Sequence, residues 1–271
     1  MDVARVNGAD IEYEVVGEGE PAICIHGSLI AESFRPMLQS PGIVGKYRLI
    51  HYHRRGYMGS SRIASATSIS EQARDCLELL HYLGFEQAHV VGHSYGGAIA
   101  LQLASDSPQS VRSLALLEPA IISGASSSQY RDSLADGLRQ YRDGDSAVVV
   151  DKFLQARWPG YRETLDRILP EAFAQAVADA ETSFEHEFPA LLEWQFGEAE
   201  ILRIAVPTLS VLGGRSEAIW PRFGETHRLL LSHVPQVEGV EFPGATHFLQ
   251  MEDPDGMVDI LTQFWASYPV E

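Results

Sequence analysis

The sequence predicts an α/β fold in which a mostly parallel sheet is covered by helices on both faces. Short apolar segments alternate with segments of helical periodicity along most of the chain, and strands that alternate with helices form parallel sheets. The alternation stops between residues 120 and 203, where helical segments follow one another without a clear strand. We therefore expect one core, residues 1–119 and 204–271, and a helical cap, residues 120–203, inserted between two of its strands.

Composition agrees with a single globular core and argues against nucleic acid and membranes as partners. The chain has 271 residues, of which 45% are hydrophobic and 21% charged, as in ordinary globular proteins. Its net charge of −17 repels nucleic acid and anionic membranes, so we expect a small-molecule substrate. No stretch approaches the roughly 18 continuous apolar residues of a membrane-spanning helix, and the first residues lack the basic and apolar regions of a signal peptide.

The two cysteines, Cys24 and Cys76, lie in apolar segments. Free cysteines are among the most buried residues, and disulfides are rare in reducing compartments. We therefore expect two buried free thiols and a cytoplasmic location.

The first elements have local signals at their ends. Asn7-Gly8 separates two alternating runs, which is typical of a β-hairpin. Apolar strands follow at residues 22–26 and 47–53. A helix is predicted over residues 68–84, because Ser68 and Glu71 have the spacing of a capping box and Gly84 can end the helix.

The remaining elements continue the alternation on both sides of the helical stretch. Before it we expect a strand, a helix and a strand at residues 88–92, 95–107 and 111–119. After it we expect a strand, a helix, a strand and a helix at residues 206–214, 223–234, 237–244 and 254–268. Some aromatic residues of the helical stretch should line a pocket, and we expect Trp158 and Trp194 to be among them.

A catalytic motif lies between the predicted strand 88–92 and the helix that follows it. Gly92-His93-Ser94-Tyr95-Gly96 matches G-x-S-x-G, the nucleophile elbow, in the strand-turn-helix context that this motif requires. Such a turn holds the serine in a sparsely populated backbone conformation. A serine hydroxyl is a poor nucleophile without a base. His247, in the loop between the last predicted strand and the last predicted helix, is the expected base.

Four segments carry a resemblance to a known family: His26-Gly27 after the third strand, "HRRGYMGSS" after the fourth, "GHSYGG" after the fifth, and "GATHFLQMEDPD" near the end. With them the chain resembles the α/β-hydrolases over nearly its whole length. The resemblance implies the α/β-hydrolase fold and an oxyanion hole formed by the backbone N–H groups of Ser28 and Tyr95. The family usually has Asp where this chain has His53, in a loop that shapes the fold.

The resemblance implies a triad acid but leaves two candidates. The family most often reads G-x-x-D after the strand "TLSVLGG"; here Ser216 occupies the acid position and Glu217 follows it. Haloalkane dehalogenases and some lactonases of the superfamily instead carry their acid at the position of Glu118, after the nucleophile helix and the next strand. We favour Glu118, because a carboxylate at the end of an apolar strand is costly to bury without a partner. Glu217 is the alternative.

The nucleophile narrows the reaction class. Dehalogenases and epoxide hydrolases of this fold use Asp, whereas Ser94 indicates an acyl-enzyme formed on an ester, lactone, thioester or activated C–C bond. The sequence has no metal or nucleotide motif, and His51 and His53 have no third ligand at useful spacing, so we expect neither metal nor cofactor. The leading expectation is a carboxylesterase for a small to medium, partly apolar ester. A lactonase or C–C bond hydrolase, and a ligand-binding receptor with slow turnover, are the alternatives.

Overall fold

The computed structural model describes residues 1–38, 40–43 and 45–270. Its strands form one sheet, and the central strands are almost entirely buried. The strands are β1 (Asp2–Val6), β2 (Ala9–Val16), β3 (Glu20–Ile25), β4 (Tyr47–Tyr52), β5 (Ala88–His93), β6 (Val111–Leu117), β7 (Thr208–Gly213) and β8 (Val237–Phe242).

The strand order β1-β2-β4-β3-β5-β6-β7-β8 makes the sheet mostly parallel. Among the described residues, the pairs β1–β2 and β2–β4 are antiparallel, and the other strand pairs are parallel. In the parallel part, His93 at the end of β5 lies opposite Leu117 at the end of β6, and Leu117 lies opposite Val211 of β7. The loops after these three strands therefore meet at one edge of the sheet, where α/β folds place their ligands. The predicted fold class is confirmed.

Helices accompany the strands along the chain. They are α1 (Ile69–Tyr82), α2 (Tyr95–Asp106), α3 (Ser127–Asp143), α4 (Ser146–Gln155), α5 (Tyr161–Ile168), α6 (Ala172–Ala178), α7 (Phe188–Glu193), α8 (Glu198–Ile201), α9 (Ser216–Ile219), α10 (Arg222–His233), α11 (Leu249–Glu252) and α12 (Pro254–Ala266). A π-helical turn (Thr182–Glu187) precedes α7. Within the described ranges, no helix has both the length and the apolarity to cross a bilayer.

The sheet has an apolar cluster on each face. Ile23 and Ile25 of β3 join the cluster that contains α1 and α2, whereas Cys24 between them joins the cluster that contains Trp265 of α12. Successive side chains of a strand point to opposite faces, so the helices cover both sides. Cys24 and Cys76 are buried free thiols, as expected, and burial raises the pKa of each to about 12.

The hairpin turn at Asn7-Gly8 forms as the sequence predicts, and the capping box at Ser68 forms in part. Asn7 and Gly8 both have positive φ, 45° and 75°, as a two-residue hairpin turn requires. Ser68 caps α1 by accepting the N–H of Glu71 at 3.0 Å. The Glu71 carboxylate does not return to Ser68 but accepts from the Thr67 hydroxyl at 2.8 Å. Only half of the capping box is therefore present.

The chain between β6 and β7 is helical and contains α3 to α8. Its helices pack around aromatic side chains: the Phe184 ring stacks on Tyr141 at 5.0 Å and contacts Phe188 at 4.9 Å. Phe153 contacts the same two phenylalanine rings. These contacts give the segment an apolar interior that continues into the larger of the two clusters.

Candidate active site

Ser94 lies in a sharp turn between β5 and α2. Its φ and ψ are 52° and −118°, a region that L-residues rarely adopt. The flanking glycines are required by close backbone contacts. A Cβ atom at Gly96 would lie 2.1 Å from the carbonyl oxygen of Ile25, and one at Gly92 would lie 2.5 Å from the carbonyl oxygen of Gly96. The turn is held to the next strand by the Ser94 N–H, which donates to the Leu117 carbonyl at 3.0 Å.

The His247 ring lies between a carboxylate and the Ser94 hydroxyl. Its Nδ1 is 2.6 Å from Oε2 of Glu118, and its Nε2 is 3.0 Å from Oγ of Ser94. Two contacts fix the loop and the ring: His93 Nε2 donates to the His247 carbonyl at 2.7 Å, and the Phe223 ring stacks on the imidazole at 4.5 Å. With Nδ1–H donated to Glu118, Nε2 is free to accept the serine proton.

Glu118 is the first residue after β6 and is 3% exposed. Its φ is +46°, and its Oε1 accepts the N–H of Gly213 at 2.8 Å. Burial raises the pKa of the Glu118 carboxyl to about 7, although the Ser216 hydroxyl and the Gly213 N–H oppose this shift. Burial also holds the pKa of His247 well below its usual value, and Arg222 adds to this effect. Burial and the arginine charge thus both favour the neutral imidazole, the form that accepts a proton.

The alternative acid, Glu217, lies elsewhere. It is the second residue of the short helix α9, its side chain is 47% exposed, and it pairs with Arg228 at 2.9 Å. Ser216, at the position where the family usually carries its acid, is buried beside Glu118. Of the two candidate carboxylates, the structure brings Glu118 to the imidazole and Glu217 to a surface arginine.

The loop after β3 is held so that the N–H of Ser28 faces away from Arg54. The Arg54 guanidinium donates to the carbonyl oxygens of His26 and Gly27, each at 3.0 Å. Because the N–H and C=O of a trans peptide point in opposite directions, the Gly27 contact turns the Ser28 N–H to the other side. The next N–H, of Leu29, is already used, since it donates to Ser183 Oγ at 3.1 Å.

A buried ion pair joins this loop to the helical segment. Glu187 ends the π-helical turn and pairs with Arg54; both side chains are almost fully buried. The same carboxylate accepts from the Ser28 hydroxyl at 2.6 Å and from the Tyr57 hydroxyl at 2.8 Å. π-Helical turns occur frequently at functional sites. Sequence analysis did not single out Glu187, because a glutamate in a helical stretch carries no signal of its distant partner.

Ser94 opens into a narrow cavity beneath the helical segment. The lining atoms surround about 290 Å³ of empty space, part of which is open to solvent, so the space beside Ser94 is small for a ligand site. The lining combines the predicted oxyanion-hole residues with aromatic, aliphatic and arginine side chains: Ser28, Ser94, Tyr95, Ala120, Tyr130, Leu134, Phe153, Arg157, Phe188, Leu191 and Arg222.

The expectation that Trp158 and Trp194 line this cavity is wrong. Trp158 stacks on Phe248 at 5.4 Å. Trp194 stacks on Phe196 at 4.5 Å, and its indole N–H donates to Gln102 at 2.7 Å. The lining aromatics of the helical segment are instead Tyr130, Phe153 and Phe188, because these side chains lie on the helix faces that turn toward Ser94.

Sequence analysis also missed the two arginines that line the cavity, Arg157 and Arg222. Each immediately precedes an aromatic residue, Trp158 or Phe223, in a chain with only 20 basic residues against 37 acidic ones. That combination is the signal that could have identified them.

His51 and His53 have a neighbour that their spacing did not reveal. Glu32 lies with them, and one ligand atom from each of the three falls within 4.8 Å of the others. His53 already uses both ring nitrogens, on Glu12 at 2.7 Å and on Glu32 at 2.5 Å, and Glu32 also pairs with Arg35. We interpret the group as a hydrogen-bonded cluster in which Arg35 supplies the positive charge beside Glu32. The expectation of a metal-free protein stays a prediction.

Comparison with known proteins gives a consistent family-level likeness. The sequence profile described as "Alpha/beta hydrolase family" matches residues 22–260. The chain is 28% identical over 272 residues to the protein of Azorhizobium caulinodans named as a carbamate hydrolase, RutD, covering 97% of this chain and 98% of that protein. It is 27% identical over 271 residues to 2-hydroxymuconate semialdehyde hydrolase of Pseudomonas putida, covering 92% and 88%. The crystal structure of the enol-lactonase from Burkholderia xenovorans LB400 superposes with a TM-score of 0.84 at 20% identity, covering 98% and 100%, which is a likeness of fold.

Proposed function

The chain belongs to the α/β-hydrolase family, and from this premise we propose that it is a cofactor-free serine hydrolase that forms an acyl-enzyme on Ser94. The observation that carries the proposal is the position of the His247 ring between the Glu118 carboxylate and the Ser94 hydroxyl. Serine, imidazole and carboxylate in this sequence of contacts activate the hydroxyl for attack on a carbonyl carbon.

The three side chains divide the proton transfers between them. His247 Nε2 takes the Ser94 proton as Oγ attacks the carbonyl carbon, and the resulting imidazolium protonates the leaving group when its bond breaks. Water then attacks the acyl-enzyme and gives a proton to the same nitrogen. The imidazolium returns that proton to Ser94 Oγ as the bond to the acyl carbon breaks, which releases the carboxylic acid product. Glu118 fixes the Nδ1–H tautomer and stabilises the imidazolium.

The tetrahedral oxyanion needs donors that are in place before the reaction. We assign this role to the backbone N–H groups of Ser28 and Tyr95, which belong to residues lining the same cavity as Ser94. Two features support the assignment. Tyr95 is the first residue of α2, where a helix has unpaired N–H groups and a partial positive charge. Arg54 holds the Gly27 carbonyl on the opposite side of its peptide.

The substrate that fits this site best is an ester of a small to medium, partly apolar acid. The printed names of the relatives refer to a carbamate, a semialdehyde and an enol-lactone, so they do not single out one bond. An ester is the simplest bond that the proposed triad cleaves. Residues 120–203 act as the cap, since Phe153 and Phe188 from this segment line the cavity and shield the reacting groups from bulk solvent.

Turnover of para-nitrophenyl butyrate together with covalent labelling of Ser94 tests the proposal. We expect hydrolysis by the wild type, loss of a factor of roughly 10⁴ to 10⁶ in Ser94→Ala, and a fluorophosphonate adduct on Ser94. Unchanged activity in Ser94→Ala, or labelling of another residue, would overturn the serine mechanism. A wild type that is acylated but not released would favour the receptor alternative. Lactones and ring-cleavage dienoates in the same assay distinguish the other two hydrolase classes.

A further inference from the structure

Two buried arginines beside Ser94 have no carboxylate partner within the described part of the chain. Arg157 follows α4, Arg222 begins α10, and they are 6% and 3% exposed. Nε and Nη1 of Arg222 are buried without a hydrogen-bond partner, and Arg157 donates to a backbone carbonyl, that of Phe153, at 3.1 Å. A buried cation without a counter-charge is costly, so this arrangement needs an explanation.

Aromatic rings surround both guanidinium groups. Arg222 lies over the rings of Tyr130 at 4.1 Å and Phe223 at 4.3 Å, and Arg157 lies over Phe153 at 3.4 Å. Cation–π attraction acts on the positive charge and uses none of the hydrogen-bond donors, and Nε and Nη1 of Arg222 indeed have no partner. The rings therefore fix the orientation of the arginines without using the donors that recognise a carboxylate.

Elsewhere this chain supplies a carboxylate to a buried arginine. Arg54, which is 1% exposed, pairs with the fully buried Glu187. The chain has 37 acidic residues and a net charge of −17, so carboxylates are abundant. Glu118, near Arg222, is already engaged by His247 and the Gly213 N–H. The unpaired arginines are thus a local property of this cavity.

We propose that Arg157 and Arg222 form a carboxylate-binding subsite, so that the substrate is an ester of a short acid that carries a second, free carboxylate. The inference rests on the proposed function, because it places that carboxylate in the same cavity as the scissile carbonyl on Ser94. Guanidinium edges bind carboxylates through paired, charge-assisted hydrogen bonds. Because both arginines line the same narrow cavity as Ser94, the chain between the scissile carbonyl and the free carboxylate can be only a few atoms long. Arg157 and Arg222 also lie close enough to His247 to lower the pKa of its imidazole.

The test compares two para-nitrophenyl esters of the same shape and different charge. One is the hydrogen glutarate; the other is the isoheptanoate, in which an isopropyl group replaces the carboxylate. The assay is run at a pH high enough that protonation of His247 does not lower kcat/KM. There we expect the wild type to prefer the glutarate in kcat/KM by roughly 30-fold or more. Arg157→Gln and Arg222→Gln remove the preference, and Arg222→Lys, which keeps the charge and loses the paired geometry, retains part of it.

Arg228→Gln is the matched control, since Arg228 lies on the same helix α10, is exposed, and loses the same charge. We expect this variant to keep the wild-type preference for the glutarate.

A wild type without preference, or an equal loss for both esters in Arg222→Gln, overturns the subsite and leaves the serine mechanism standing. If the wild type hydrolyses neither these two esters nor para-nitrophenyl butyrate, the proposed function fails, and the subsite is tested by itself. We then expect calorimetric titration of Ser94→Ala with glutarate to show binding, and the additional exchange Arg222→Lys to weaken it. Absence of binding overturns the proposed subsite. Thermal unfolding identifies any variant that does not fold.

Discussion

Glu118 Oε2 lies 2.6 Å from Nδ1 of His247, across 129 positions of sequence. The contact depends on the strand order, because β6 and β7 are neighbours and the chain returns to this edge after β8. Glu118 also has a positive φ of 46°. A non-glycine residue in this conformation costs free energy and persists where the surrounding structure fixes it. Ser94, at 52°, shares this property, so both residues that hydrogen-bond the His247 ring have a strained backbone.

Exchange of Glu118 for Gln should lower kcat by several orders of magnitude, while the fold remains intact. The amide cannot stabilise the imidazolium, and it can favour the wrong tautomer, an effect of about 10⁴ in the serine proteases from which the triad is known. Glu217→Gln is the matched control, because its carboxylate pairs with Arg228 at the surface. Steady-state hydrolysis of para-nitrophenyl butyrate measures both. A large loss in Glu217→Gln with little change in Glu118→Gln would reverse the assignment of the acid.

The elements of the fold were predictable because their signals are local. Asn7-Gly8 determines its hairpin, and Ser68 caps α1, through contacts within a few residues. The elbow at Ser94 is equally local, since Gly92 and Gly96 meet backbone atoms that approach the turn closely. Alternation of such elements is sufficient to predict a mostly parallel sheet.

The side-chain partnerships of the site were harder to predict because they are distant in sequence. Arg54 and Glu187 are 133 positions apart, and no local pattern connects them. In the helical segment, aromatic side chains occur on several helix faces, so composition does not say which ones face Ser94. Phe153 does, and Trp194 does not, because the rotation of each helix depends on how the whole segment packs.

Truncation of Phe153 to Ala should shift the preference of the enzyme toward longer acyl chains. Phe153 lines the narrow cavity beside Ser94, and its removal makes room for further methylene groups, each worth roughly tenfold or more in kcat/KM. The measurement is the ratio of kcat/KM for para-nitrophenyl hexanoate over acetate. Trp194→Ala is the control, because that ring packs against Phe196 away from the cavity. An equal shift in Trp194→Ala would contradict the assignment of the lining.

Replacement of Arg222 by Gln should move the acid limb of kcat/KM to higher pH for a neutral ester. His247 must be neutral to accept the serine proton, and burial together with the charges of Arg222 and Arg157 lowers its pKa. Arg222 also lowers the pKa of Glu118, so the coupled pair binds its proton more readily once this charge is gone. Other charged or titratable groups that act on the pair include Arg157, His93 and His227. Burial lowers the pKa of His93 to about 3.

The expected displacement of the acid limb is roughly one pH unit or more, upward. The pH profile for para-nitrophenyl butyrate measures it without any contribution from substrate charge. Arg228→Gln removes an equal charge from an exposed position of α10 and should leave the limb in place. An Arg222→Gln profile that does not move, or that moves to lower pH, would contradict the electrostatic role of this residue.

Exchange of Glu187 for Gln should destabilise the protein and impair the site together. The carboxylate is buried with Arg54, and loss of one partner leaves an uncompensated buried charge, at a cost of about 3–5 kcal/mol. The other carboxylate oxygen, Oε2, accepts from the Ser28 and Tyr57 hydroxyls, so the loop that carries the proposed Ser28 donor also loses its support. We expect a lower free energy of unfolding in chemical denaturation and a lower kcat in the fraction that remains folded.

Glu185→Gln separates this effect from a general loss of charge in the same turn. Glu185 lies two positions earlier and pairs with Arg142 at 2.5 Å, but that arginine is 58% exposed. Exposed pairs contribute about 0–1 kcal/mol, so Glu185→Gln should unfold close to the wild type and keep its kcat. The decisive observation is whether Glu187→Gln loses both folding stability and kcat. If Glu187→Gln lost stability but kept the wild-type kcat, the ion pair would hold only the helical segment, and the Ser28 loop would be positioned by Arg54 alone.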